Sequence, residues 1–156
     1  MFRPARNPRN VTRCRRPEWI TGRASSSSAK AGQRFEAQQR ARYEERFGEL
    51  FEPEPWFEFI DDERTWHCAP DGIIWLDRSP IIVEFKLSHT FHAWRQLKHL
   101  YLPVVKAAHS NQYFRLLEVC KNFDPSVDFG HVDITFVSNP MCCPGRGLGV
   151  EVVLDL

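Results

Sequence analysis

The run Ile81–Ile82–Val83–Glu84–Phe85–Lys86–Leu87 constrains this chain more than any other stretch. It is rich in β-branched and aromatic residues, which predicts a strand inside a sheet. Side chains alternate along a strand, so Glu84 and Lys86 project from the same face. Burying either charge alone is costly. The fold must therefore bring a carboxylate and an ammonium out together from an apolar strand. A purely structural ion pair would satisfy that demand, and so would a chemical site.

The elements around this run follow from its punctuation. Asp71–Gly72 opens the apolar run Ile73–Leu76, and Asp77–Arg78–Ser79–Pro80 turns the chain into the Glu84 strand, so the two runs are expected to pair antiparallel. Upstream, Phe35, Gln39, Tyr43 and Phe47 recur every four residues, predicting a helix from about Ala29 that stops at Gly48. Pro53 and Pro55 mark a turn, and Trp56–Ile60 followed by the polar Asp61–Arg64 predicts a hairpin. Downstream, Thr90 is a good N-cap for an amphipathic helix carrying Trp94, Leu97, Tyr101, Val104, Val105 and Ala108, with a bend expected at Pro103. Tyr113–Cys120, His131–Val137 and Gly149–Leu156 read as further strands, joined by a connection over Asn122–Phe129 and a Cys-, Pro- and Gly-rich stretch over Met141–Leu148. This order predicts an α/β fold with a central mixed β-sheet flanked by helices.

With 156 residues, 42% hydrophobic and 26% charged, the chain is sized for one domain, expected over 29–156. No stretch approaches the roughly 18–20 apolar residues of a membrane span. The expectation is a protein without a membrane partner, located in the cytoplasm of a bacterial or phage-infected cell. Cys14, Cys68, Cys120, Cys142 and Cys143 are odd in number and irregularly spaced, which argues for reduced thiols.

The total charge of +1 conceals an asymmetry. Residues 1–30 carry Arg3, Arg6, Arg9, Arg13, Arg15, Arg16, Arg23 and Lys30 against Glu18 alone, a net of +7 that leaves −6 for the remainder. Residues 1–28 lack a sustained hydrophobic period and are expected to form a disordered basic arm. Such an arm suits a polyanion such as DNA, with Arg13, Arg15, Arg16, Arg23 and Lys30 as the phosphate contacts. A solvated tail that binds nothing specific is the equally weighted alternative. An organelle transit peptide fits the composition, but Pro4, Pro8 and Pro17 would interrupt its helix.

Asp71, at the head of one strand, and Glu84, on the next, are expected to lie side by side. Two hard oxygen donors so placed suit Mg²⁺ or Mn²⁺. A bound metal of this kind polarises a phosphate and activates water, and Lys86 is suited to stabilise the developing charge.

Pro70–Asp71 followed by Glu84–Phe85–Lys86 resembles the signature of the PD-(D/E)xK nuclease superfamily, in particular small RecB-like and Holliday-junction-resolvase-like nucleases of phages and bacteria. The resemblance spans Ala31 to Val105. An [DE]xK triplet alone arises about once by chance in a chain of this length, so its weight comes from the conjunction of order, hairpin and flanking helices. It implies a restriction-endonuclease-like core and a catalytic set of Glu36, Asp71, Glu84, Lys86 and Gln96. It implies metal ligation by Asp71, Glu84, Glu36 and the backbone carbonyl of Phe85. Gln96 and Tyr101 are similar to the Gln and Tyr that follow the ExK strand in RecB-like members, with a spacing one residue longer than QxxxY. Gln96 is thus the direct match, and Tyr101 is assigned to the nucleic acid.

The function this implies is metal-dependent hydrolysis of DNA phosphodiesters in recombination, repair or phage DNA processing, by an exonuclease or a structure-selective endonuclease. A junction resolvase would be a symmetric dimer, since it cuts strands related by a two-fold axis. The alternative is a binding module on the same fold that holds DNA or a partner without cutting. Of the remaining candidates, His92 and His99 share a helix face, His67 approaches the site from the preceding strand, and Trp66 is the tryptophan expected to be exposed. Arg34, Arg40, Arg42 and Arg46 interleave with Glu44, Glu45 and Glu49, which reads as a solvated, salt-bridged face.

Overall fold

The structure, a computed structural model, describes residues 3–21, 26–88, 91–122, 134–138 and 150–154. Arg23, His89, Thr90, His131, Cys142 and Cys143 lie outside the described residues, as do the connection expected after Asn122 and the stretch 141–148. The described chain runs β1 (Arg9–Arg13), α1 (Ser27–Phe47), β2 (Phe51–Pro53), β3 (Phe57–Asp61), β4 (Arg64–Cys68), β5 (Gly72–Ile74) and β6 (Ile81–Ser88). It continues with α2 (Phe91–Gln96), a π-helical turn (Leu97–Tyr101), α3 (Leu102–Ala108), β7 (Arg115–Asn122), β8 (Ile134–Ser138) and β9 (Val150–Leu154).

Helix α1 starts at Ser26, whose Oγ accepts from Ala29 N at 3.2 Å. It stops at Gly48, which takes φ 53° and returns its N–H to the Glu44 carbonyl. A left-handed residue ends a helix at least cost when it lacks a Cβ. Phe35, Gln39 and Tyr43 are buried at the four-residue spacing seen in the sequence. Gln39, polar within that period, is 2% exposed.

Six strands form a mixed sheet in the order β2-β5-β6-β7-β9-β8. Strands β6 and β7 are parallel, joined across α2 and α3, and the other pairs are antiparallel. The α/β class and the expected β5–β6 pairing are as read from the sequence. Pro53, expected with Pro55 to mark a turn, instead closes an edge strand, Phe51–Pro53, on β5. Proline is compatible with that place because an edge strand leaves one side without ladder bonds.

Alternation in β6 and β7 sorts the core into two layers. Val83, Phe85, Leu117 and Val119 pack with Phe35 and Tyr43 of α1. Ile82 and Leu116 face the opposite way, against Leu97, Tyr101, Val104 and Val105. Glu84, Lys86 and Glu118 belong by the same alternation to the second face. No helix among the described residues is long and apolar enough to cross a membrane.

The hairpin β3–β4, turned at Asp62 and Glu63 with φ 48° and 59°, leaves the main sheet and joins β1 in a separate sheet of order β1-β3-β4. Over the described residues 3–21, this corrects the disordered arm expected over 1–28. Asp61, only 2% exposed, accepts Asn7 N at 3.0 Å and Arg6 N at 3.2 Å. Ala5 is buried, and its N–H donates to the His99 carbonyl at 2.8 Å. That carbonyl is available because Pro103, four residues on, has no N–H to give back to the preceding turn. The segment is basic in its side chains and ordered through its backbone.

Gly72 is the tightest position in the sheet. A Cβ there would fall 2.2 Å from the ring of Phe51, itself 4% exposed and packed on Tyr43. Gly72→Ala is therefore expected to cost about 1–3 kcal/mol by overpacking. Urea unfolding of the variant checks this; an unchanged midpoint would show that the ring moves aside freely.

Candidate active site

The ladder between β5 and β6 ends at Gly72↔Val83. One residue beyond on β5 stands Asp71; two residues beyond on β6 stands Phe85. Asp71 Oδ2 accepts the Phe85 N–H at 2.6 Å, so a carboxylate continues the ladder where the backbone stops. A residue in a strand directs its N–H and C=O to the same lateral side. The Phe85 carbonyl therefore also points toward the end of β5.

Glu84 and Lys86 emerge together, with Lys86 Nζ 2.5 Å from Glu84 Oε1. Glu84 is 2% exposed, and its Oε2 is buried with no hydrogen-bond partner. Burial first, and then the Asp71 charge, push the Glu84 carboxyl up to about 8, against the pull of Lys86. Burial likewise raises Asp71 to about 6, opposed by Lys86 and by the Phe85 N–H. Burial works against the charge on Lys86, yet Glu84, Asp71 and Glu36 hold its ammonium above the usual lysine range. Two carboxyls of raised proton affinity beside one cation mark a place where negative charge is in excess.

Glu36 projects from α1 into a polar cleft of about 410 Å³ that Asp71, Arg16 and Arg40 also line. It is half-buried, and its charge is felt at Asp71, Glu84 and Lys86. Among the described residues no three His, Cys, Asp or Glu side chains are already gathered as a metal-ligand cluster. The pair Asp71 and Glu84 is the nucleus, with Glu36 farther out. The orphaned Glu84 Oε2 fits a cation, since a buried carboxylate oxygen demands a partner.

Tyr101 feels the Glu84 and Asp71 charges from the second helix, and Gln96, which lines the cavity shared with His67, reaches Tyr101 by a hydrogen bond. Gln96 Nε2 donates to the Tyr101 hydroxyl. Their five-residue separation would put them on different helix faces in a regular α-helix. The π-turn removes the offset: Leu102 N bonds Leu97 O, a five-residue step that absorbs one extra residue. Tyr101 is 4% exposed, and burial followed by the Glu84 and Asp71 charges raises its hydroxyl well above the usual range. This corrects its assignment to the nucleic acid: Tyr101 is a buried prop that orients Gln96.

The remaining candidates are dispersed. Arg13 pairs with Glu52 at 2.6 Å over the Phe57 ring, and Arg15 and Lys30 are exposed. Among the described residues of the predicted arm, Arg16 alone lines the Asp71 cleft. His67 lies 3.0 Å from Glu58 and lines a different cavity, so it does not approach Asp71 from β4 as expected. Trp66 is half-buried rather than exposed, with its Nε1 on the Asp61 carbonyl and Arg3 over its ring. Cys14, Cys68 and Cys120 are free thiols.

Two residues near the site lay outside the expectations from sequence. Glu118 is fully buried on β7, in register with Glu84 and on the same face. A lone acid inside Leu116–Leu117–Glu118–Val119–Cys120 repeats the signal that singled out Glu84, and it was legible. Arg40 was assigned to a solvated face, yet its Nε is buried and its guanidinium turns into the cleft. Compared with protein-family models, with curated proteins and with solved structures, the chain matches none.

Proposed function

We propose that the chain is a divalent-metal-dependent nuclease of the PD-(D/E)xK kind that hydrolyses DNA phosphodiesters, built on a restriction-endonuclease-like core. One observation carries the reading: Asp71, pinned by the Phe85 N–H at the end of β5, stands beside a buried Glu84 that carries an unpartnered oxygen and a lysine at 2.5 Å. A structural pair alone would need neither Asp71 nor the orphaned oxygen.

In this reading Asp71, Glu84 and the Phe85 carbonyl would hold Mg²⁺ or Mn²⁺, with Glu36 as a further ligand. The bound cation supplies Lewis-acid polarisation of a phosphate oxygen and a lowered pKa for water. Lys86 would hold a positive charge against the negative charge that develops on the phosphate oxygens. Gln96, hydrogen-bonded to Tyr101, would orient water or a phosphate oxygen in this reading. DNA as partner, and a symmetric dimer if the substrate is a junction, belong to the same proposal.

The test is cleavage of labelled single-stranded, duplex, flapped and four-way-junction DNA in Mg²⁺, Mn²⁺ and EDTA, with Glu84→Gln alongside. Metal-dependent cuts lost in the variant are the expected result. Retention of DNA without any cut, in either metal, would favour the non-catalytic binding module.

A further inference from the structure

The cleft beside Asp71 contains two arginines that the proposed chemistry does not use. Arg16 follows β1, and Arg40 lies on α1, four residues after Glu36. Both turn to one carboxylate: Arg16 Nη1 is 3.7 Å from Glu54 Oε1, and Arg40 Nη1 is 3.2 Å from Glu54 Oε2. Arg40 Nε is buried with no hydrogen-bond partner, so that guanidinium has a donor to spare inside the cleft. Arg16 keeps 46% of its side chain exposed at the mouth.

Glu54 is held in an unusual way. It is a non-glycine residue at φ 46°, and its N–H bonds the Asp71 carbonyl at 3.0 Å. The backbone thus accepts a left-handed conformation that places this carboxylate next to Asp71 and between two cations. A guanidinium fork matches a carboxylate and a phosphate with the same geometry.

We propose that Arg16 and Arg40 clamp a backbone phosphate adjacent to the cleavage point, and that Glu54 occupies the phosphate's place until the strand arrives. This rests on the nuclease reading for its substrate class. The clamp makes Arg16 and Arg40 strand-binding residues and Glu54 an internal competitor. Because Glu36 and Asp71 share the cleft, a phosphate enters best once a divalent cation offsets their charge.

The experiment is fluorescence anisotropy of the full chain with a labelled single-stranded oligonucleotide in Ca²⁺, over a series of salt concentrations. Arg16→Gln is expected to weaken binding about tenfold and to reduce the slope of log K against log salt by about 0.7. Arg16→Gln/Arg40→Gln should weaken it further. Glu54→Gln should tighten binding several-fold, the opposite sign from that of a residue that merely props the arginines. Since Arg16 is half-exposed, its variant keeps the test open if Arg40 variants fold poorly. Unchanged affinity and slope in Arg16→Gln, or weaker binding in Glu54→Gln, overturns the clamp. Cleavage in Mg²⁺ with arginine-independent binding defeats the clamp alone; arginine-dependent binding with no cleavage in either metal defeats the nuclease reading and retains the clamp.

Discussion

Asp71→Asn is expected to abolish metal-dependent cleavage, by about 10³-fold or more, and at the same time to make the metal-free protein harder to unfold. The loss follows from removing a charged ligand from a centre whose cation would supply several kcal/mol of transition-state stabilisation. The gain follows from the same carboxylate. Burial raises the Asp71 carboxyl to about 6, so above that pH the folded state holds a charge that the unfolded chain would keep in water. The amide oxygen of the substituted side chain would still accept the Phe85 N–H, which preserves the end of β5. A gain of roughly 1–2 kcal/mol at pH 8, or a few degrees in Tm, is the expected size. Calorimetry in EDTA and a cleavage assay in Mn²⁺ measure the two halves. A variant that loses activity and also melts lower would show that Asp71 serves the fold rather than the chemistry.

Lys86→Met is expected to destabilise the protein more at pH 8.5 than at pH 5, by a margin of about 1 kcal/mol that widens as pH rises further. Glu84 decides the difference. Its folded carboxyl stands at about 8 against an ordinary value of 4.5, so the folded state binds the proton more tightly than the unfolded chain. A raised pKa contributes stability below the unfolded value that is lost as pH rises toward the folded one. At pH 5 the buried group is neutral and hardly needs its lysine. At pH 8.5 the wild-type group is largely ionised beside Lys86; without Lys86 its proton affinity rises further, and the variant gives up the stability that this ionisation confers. Urea unfolding at the two pH values tests this, and Glu84→Gln/Lys86→Met should erase the pH dependence. An equal loss at both pH values would sink the account.

The extent to which the site was legible in the sequence differs from residue to residue. Glu84 and Lys86 were legible because charge inside a β-branched run is costly and period two fixes the face. Asp71 was legible because a short turn over 77–80 leaves few registers for two apolar runs. Gln96 and Tyr101 were legible as residues but not their contact: QxxxY spacing presumes a regular helix, and the π-turn at Leu97–Tyr101 brings them together. Arg40 was lost in the alternation of charges along α1, since a solvated face and one side of a cleft read alike in sequence.

The basic segment before α1 gives the clearest division. Its composition predicts an arm, and side-chain chemistry offers no contrary sign, for Ala5 and Val11 are its only apolar residues in the described span 3–13 apart from Pro4 and Pro8. Its anchors are backbone N–H groups received by Asp61 and by the His99 carbonyl that Pro103 leaves unbonded. The strand pair, its polar triplet of Asp71, Glu84 and Lys86, and the helices on either side were written in the order of residues, because hydrophobic period and turn chemistry are local. That β1 joins the hairpin sheet, and that Arg16 enters the cleft beside Asp71, came from the packing of distant segments alone. A backbone donor carries no residue identity, so its partner is settled by which distant acceptor the folded chain leaves unsatisfied.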